Sequence, residues 1–446
     1  MAQRLVVIGA GMASGRMLEH LFDEAPGAYE VTLFNAEPRG NYNRIMLSPV
    51  LSGEKTYEDI VTHDDAWYEA QGVTCRFGEK VTAIDRAAKV VMGENGPVSY
   101  DKLVIATGST PFIIPMPGHD LKGVIAYRDL EDTNAMIGAA ARGGKAVVIG
   151  GGLLGLEAAA GLKMRGMDVT VVHIMGHLME RQLDPAAGAL LRHALEDRGI
   201  EVLCEAQSEA ILGEDGHVRA LKLRAGRELP CDILVMAVGI RPNIALAQQA
   251  GLACGRGIQV DDALVTCDPD IFALGECIEH DGQIFGLVSP LYDQAKVLAA
   301  TLRGEAAAYV TREVSTKLKV TGCDLFSAGD FAEGPGREDI VFRDPGRGIY
   351  KRLILEGERL VGAVMYGDTA DSNWFFGLIK ERADISAMRD TLIFGPGFQG
   401  GDTADPRVAV AALPRSAVGG DGLPQTQIAK AAPGGFTQAF LRSAQR

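Results

Sequence analysis

The chain has 446 residues, 47% of them hydrophobic and 23% charged, which excludes wholesale disorder and suggests about three globular domains. Its 58 acidic residues outweigh the 44 basic ones, for a net charge of −14, and that field disfavours a nucleic-acid partner. No run of 18 apolar residues and no secretory pattern occurs, so a cytoplasmic protein with no membrane partner is expected.

In chain order, the first element is Arg4-Leu-Val-Val-Ile8, a short apolar run that reads as a buried parallel strand. A glycine turn, Gly9-Ala-Gly11-Met-Ala-Ser14, follows it, then a helical pattern through Met17, Leu18, Leu21 and Phe22. Val31-Thr-Leu-Phe34 is a second strand, with Glu37 just beyond it. The unit recurs 141 residues later. Ala146-Val-Val-Ile149 is a strand, Gly150-Gly-Gly152-Leu153-Leu154-Gly155 a turn, about 156–164 a helix, and Val169-Thr-Val-Val172 the next strand. In a dinucleotide fold the first glycine makes the tight turn and the second lets backbone approach a pyrophosphate. The third allows close helix–strand packing, and the phosphates sit at the helix start. The second copy is complete, and the first has the small Ser14 in the third place. Glu37 stands where a carboxylate can bind an adenosine ribose. The matching place in the second unit is read as His173, neither the acid that favours NAD nor the arginine expected for a 2′-phosphate.

Strands ending in Ala106-Thr107-Gly108, Ala237-Val-Gly239 and Leu274-Gly275-Glu276 complete the two folds. From about residue 316 the pattern alternates, with a hairpin turn at Glu356-Gly-Glu-Arg, as in a separate α+β domain. The chain from 411 is Gly-, Pro- and Ala-rich and reads as a loosely ordered tail. The seven cysteines are scattered without a CxxC, which argues against a compact metal motif or a redox disulfide. No metal site is expected.

These features resemble the two-dinucleotide-domain flavoprotein reductases. The resemblance implies an α/β fold of the glutathione-reductase type, with Rossmann-like FAD and NAD(P) domains and a small α+β C-terminal domain. The expected boundaries are 1–115 with 245–312 for FAD, 116–244 for NAD(P)H, 313–410 for an interface domain and 411–446 for the tail. Longer stretches are more specific. Phe34-Asn-Ala-Glu-Pro-Arg-Gly-Asn-Tyr-Asn-Arg-Ile-Met-Leu-Ser48, Val171 to Leu183, Ser315 to Lys319 and Val361 to Asp368 resemble the flavoprotein half of assimilatory NAD(P)H nitrite reductases. They also resemble the free-standing FAD electron-transfer subunits of assimilatory nitrate reductases. Related ferredoxin and rubredoxin reductases often carry Lys after Leu-Ser, where this chain has Pro49.

The resemblance implies that Gly9, Gly11, Ser14, Glu37, Arg44, Val81, Thr107, Gly108, Gly275, Glu276 and Pro290 hold FAD. It implies that Gly150, Gly152, Leu153, Leu154, Gly155, Glu157, His173 and Gly239 hold NADH, or NADPH. Arg44 is expected near the flavin or the pyrophosphate, and Glu157 near the nicotinamide. No catalytic acid or base is required, because the reaction is hydride transfer to a flavin. The expected partner is a separate redox protein, first the catalytic subunit of an assimilatory nitrate reductase. A separate nitrite reductase or a small iron protein such as rubredoxin or ferredoxin is the alternative. An incidental flavin-bearing binding module is the reading of another class. Trp374-Phe-Phe376 reads as core before it reads as a docking surface.

Overall fold

The computed structural model describes residues 2–312, 315–320 and 322–398 of the chain. The expected tail lies outside them. Three five-stranded sheets organise the described residues. The first runs Ile271–Ala273, Lys102–Ile105, Gln3–Ile8, Tyr29–Asn35, Thr74–Phe77, all parallel. The second runs Val124–Ala126, Ile233–Met236, Lys145–Ile149, Asp168–Val172, Ile200–Leu203, also all parallel. Read side by side, the sheets have the same order, with the glycine-turn strand in the middle. They differ at one edge, which comes late in the chain in the first sheet and early in the second.

The central strands are continuous apolar runs because both faces are covered, one by helices and the other by a three-stranded antiparallel sheet. Leu5, Val6, Val7, Val147 and Val148 are fully buried. In the first fold the helix Met12–Glu24 turns Met17, Leu18, Leu21 and Phe22 inward and lies against the helix Val288–Leu302. The second fold's helix is Leu153–Met164. It starts three residues earlier than its apolar pattern suggests, because Leu153 and Leu154 form its first turn over the glycines.

Two short strands join the folds. Ser109–Pro111 leaves the first and Ile240–Pro242 returns to it, paired antiparallel with Thr110 opposite Arg241. The third sheet is antiparallel, in the order Ser315–Val320, Cys323–Gly329, Arg359–Tyr366, Ile349–Glu356, Arg337–Asp344. The helix Ser372–Glu381 covers it, burying Phe375, Leu378 and Ile379. Phe375 is fully buried, and Trp374 and Phe376 pack against the same core.

Candidate flavin and pyridine-nucleotide sites

Each parallel sheet brings its glycine turn to the carboxyl ends of its strands. Gly9 donates to the Phe34 carbonyl at 2.8 Å, and Gly150 donates to Val172 at 2.9 Å. Both have positive φ, +108° and +123°. A Cβ on Gly9 would lie 2.3 Å from the Ala106 carbonyl oxygen, and one on Gly150 would lie 2.2 Å from that of Ala237. Glycine is required twice, by conformation and by the neighbouring strand. The third positions differ. A Cβ on Gly155 would meet the Gly150 oxygen at 2.0 Å. Ser14 is instead accommodated, fully buried, with its hydroxyl donating to Gly9 O at 2.5 Å.

The helix starts show where anions belong. Asp64, Asp129 and Asp184 cap three other helices by accepting first-turn N–H groups. The helices Met12–Glu24 and Leu153–Met164 begin at Gly11 and Gly152 with no side-chain cap, and a Cβ at either glycine would meet nothing within 4 Å. Open space and unsatisfied N–H groups at a positive helix end form a cradle for a phosphate. The helix Val288–Leu302, which carries buried Pro290 in its first turn, likewise lacks a side-chain cap.

A charged chain crosses the mouth of the first fold. Glu37 accepts from Tyr42 Oη at 2.9 Å and pairs closely with Arg44. Arg44 also donates to the Arg128 carbonyl at 3.3 Å. The Arg128 guanidinium pairs with Glu276, whose same oxygen accepts from Ser109 Oγ at 2.6 Å. Beside it, Gly275 donates to Gln294 Oε1 at 2.8 Å, and Thr107 Oγ1 donates to the Asn243 carbonyl at 2.8 Å. Gly108 also lies here, its carbonyl accepting from Asn243. Val81 is buried in the first core. Hydrogen bonds therefore link the strand-end residues, Arg44 and Glu276 through Arg128 and Asn243. Arg128 and Asn243 do not show in any local motif and enter through long-range contacts.

Next to Arg128, Asp132 accepts the Arg128 N–H at 2.7 Å. Burial and the neighbouring Asp129 push its carboxyl up to about 6. Cys277 is fully buried in this region, and burial pushes its thiol up to about 11. Such a thiol is inert. All seven cysteines are free, so no disulfide stands beside these residues.

In the second fold, Phe34 and Val172 are equivalent because each accepts from its first glycine. Asn35 and His173 are therefore equivalent, and Glu37 stands in register with Met175. The place matching Glu37 is thus Met175, two residues beyond His173. His173 is buried, and its Nδ1 accepts from the Gly151 N–H at 3.0 Å. That fixes the proton on Nε2, which points at Glu180 at 3.1 Å. His173 thus supports the turn from beneath, as Asn35 supports Ala10, while Met175 is 46% exposed where Glu37 has its carboxylate. Gly239 is exposed at the end of Ile233–Met236, toward the joining strands. Glu157 accepts from Ser48 Oγ at 2.6 Å, and burial raises its pKa.

Two parallel sheets of equal order, each with a glycine turn before an uncapped helix, define a flavin-dependent pyridine-nucleotide oxidoreductase. The chain belongs to the pyridine nucleotide-disulphide oxidoreductase family, whose model matches residues 3–297, and residues 315–383 match the rubredoxin NAD+ reductase C-terminal domain. It is 46% identical to an NAD(P)H nitrite reductase of Bacillus subtilis over 90% of this chain and 50% of that protein. It is 41% identical to the assimilatory nitrate reductase electron transfer subunit of the same species, over 89% of this chain and 52% of the relative. The chain spans about half the length of these relatives. Among solved structures, NADH:rubredoxin oxidoreductase from Clostridium acetobutylicum superposes with a TM-score of 0.74 at 25% identity, covering 88% of this chain and 100% of that one. The protein is an NAD(P)H oxidoreductase that binds FAD and NAD(P)H. Among the described residues no helix is long and apolar enough to cross a membrane.

Proposed function

We propose that the protein takes electrons from NADH through FAD to a separate redox protein, foremost the catalytic subunit of an assimilatory nitrate reductase. The observation that carries this reading is the pair of uncapped helix starts, at Gly11 and Gly152, in two folds of equal strand order. The first fold's turn, with Ser14, Thr107, Gly108, Gly275 and Glu276, holds FAD. Glu37 binds its adenosine ribose, Arg44 and Arg128 balance its phosphates, and Val81 and Pro290 line its two ends. The turn from Gly150 to Gly155, with Glu157, holds the pyridine nucleotide, supported by His173 and flanked by Gly239.

When bound, FAD accepts two electrons together and releases them singly, which matches a hydride donor to a metal-centred acceptor. The chain's residues orient the two ligands and exclude water. The inert Cys277 and the absence of a disulfide fit an external acceptor rather than an internal thiol pair. The match of residues 315–383 to a rubredoxin reductase domain favours a second reading, in which the acceptor is a small iron protein.

The test is anaerobic. FAD-loaded protein is reduced with NADH and then mixed with a molybdenum nitrate reductase, a rubredoxin or a ferredoxin from the same cells. Reoxidation coupled to nitrate reduction supports the first reading, and reoxidation by the iron protein alone overturns it for the second. Failure of NADH to bleach the flavin overturns both.

A further inference from the structure

The helix Leu153–Met164 and the short helix Leu47–Ser52 meet along three rungs spaced four residues apart. At the first, Glu157 accepts from Ser48. At the second, a Cβ on Gly161 would lie 2.6 Å from Leu51 Cγ, so only glycine allows the approach. At the third, Arg165 donates to the carbonyls of Leu51 and, at 3.2 Å, Val50. Residues at i, i+4 and i+8 share one helix face. That face binds a flavin-side segment to the nicotinamide-side helix.

The first rung continues. Tyr127 Oη lies 3.1 Å from Ser48 Oγ. Ser48 has one proton, and a carboxylate oxygen only accepts, so Ser48 donates to Glu157 and accepts from Tyr127. The result is a directed chain from a buried phenol through a hydroxyl to a carboxylate. Among the described residues no lysine or arginine forms an ion pair with Glu157, and the neighbour of Ser48 is Pro49.

We infer that Ser48 and Tyr127 are positioning residues that keep Glu157 ionised beside the bound nicotinamide, where its charge favours the oxidised, cationic ring over the reduced one. This rests on the proposal that Glu157 faces the nicotinamide. On giving up a hydride, that ring passes from neutral to a single positive charge, and a fixed carboxylate in a partly dry site stabilises the change. Burial by itself favours the neutral acid, and the Ser48 hydroxyl opposes it. The helix Leu47–Ser52 presents no charged side chain to Glu157. From the 127–132 segment come Tyr127 and, behind it, Asp132. On its own helix the next charged residue is Lys163.

The experiment uses FAD-loaded protein with Ser48→Ala, Ser48→Thr and Tyr127→Phe. Infrared titration follows the protonated carboxyl band that Glu157→Gln removes, and calorimetry measures NAD+ binding across the same pH range. Loss of the donor raises the midpoint, so Ser48→Ala moves it up by about one pH unit. Between the two midpoints NAD+ affinity then falls by up to about tenfold. Tyr127→Phe moves it less in the same direction, and Ser48→Thr restores both readings. An unchanged midpoint and affinity in Ser48→Ala, in protein that binds NAD+ as wild type, overturns the inference alone. Wild-type protein that binds no pyridine nucleotide overturns the function on which it rests and the inference with it.

Discussion

The hydroxyl of Tyr350, on the third sheet, donates at 2.5 Å to Asp184, the residue that caps the second fold's helix Pro185–Glu196. The same carboxylate accepts the Ala187 N–H at 3.0 Å and the Arg352 guanidinium at 3.4 Å. One buried group thus starts a helix and anchors a sheet. Tyr350→Phe removes a bond to a charged acceptor, a loss of about 1.5–3 kcal/mol. Calorimetry should show a lower melting temperature. Anaerobic flavin reduction by NADH should keep its wild-type rate, because Tyr350 is remote in contact from both glycine turns.

The two turns can be disabled separately. Gly9→Ala introduces a Cβ against the Ala106 carbonyl at positive φ, and the purified protein should lack flavin absorbance. Gly155→Ala presses on Gly150 instead. It should keep its flavin and lose NADH affinity by about tenfold or more, at least ~1.4 kcal/mol, by titration.

The register of Met175 with Glu37 makes Met175 the position from which to alter nucleotide choice. A guanidinium there gains a charge-assisted contact with a 2′-phosphate that NADH lacks. Met175→Arg should raise the kcat/KM ratio of NADPH to NADH by about tenfold. His173→Arg should instead damage use of both nucleotides, because it removes the acceptor of the Gly151 N–H.

Asp132 contributes a pH dependence of stability. Its folded carboxyl titrates at about 6, above the ordinary value of about 3.9. Protonation therefore favours the folded state. The contribution is complete below about pH 4 and is lost as pH rises through about 6. Asn cannot ionise yet can still accept the Arg128 N–H. Asp132→Asn should unfold at higher denaturant than wild type above pH 6, and the two curves should converge below about pH 4.

Both glycine turns and their strands were legible because a parallel strand, a turn and a helix are adjacent in sequence and each leaves a local pattern. The hairpin at Glu356 was legible for the same reason. The register of Met175 rather than His173 with Glu37 was not, because it is set by which strand carbonyl receives the glycine N–H, a bond that leaves no local pattern. Arg128 and Tyr127 carried no signal either. Arg128 meets Glu276 148 residues away, and Tyr127 meets Ser48 79 residues away. Such partners are chosen by the packing of two folds rather than by neighbours in the chain. The Trp374 cluster followed the simpler expectation, with Phe375 turned fully inward and Trp374 and Phe376 half-buried on either side of it.

The antiparallel pairing of Ser109–Pro111 with Ile240–Pro242 has a consequence for how this architecture can be remade. The chain leaves the first fold and re-enters it at directly opposed residues, about 5 Å apart across a ladder. The intervening segment is thus an insertion whose two ends coincide, the geometry that tolerates transplantation. A pyridine-nucleotide cassette from another protein, spliced at Thr110 and Arg241, would inherit the joint ready-made. The rungs at Glu157, Gly161 and Arg165 are then the contacts that any such graft must reproduce to restore communication between its guest and its host.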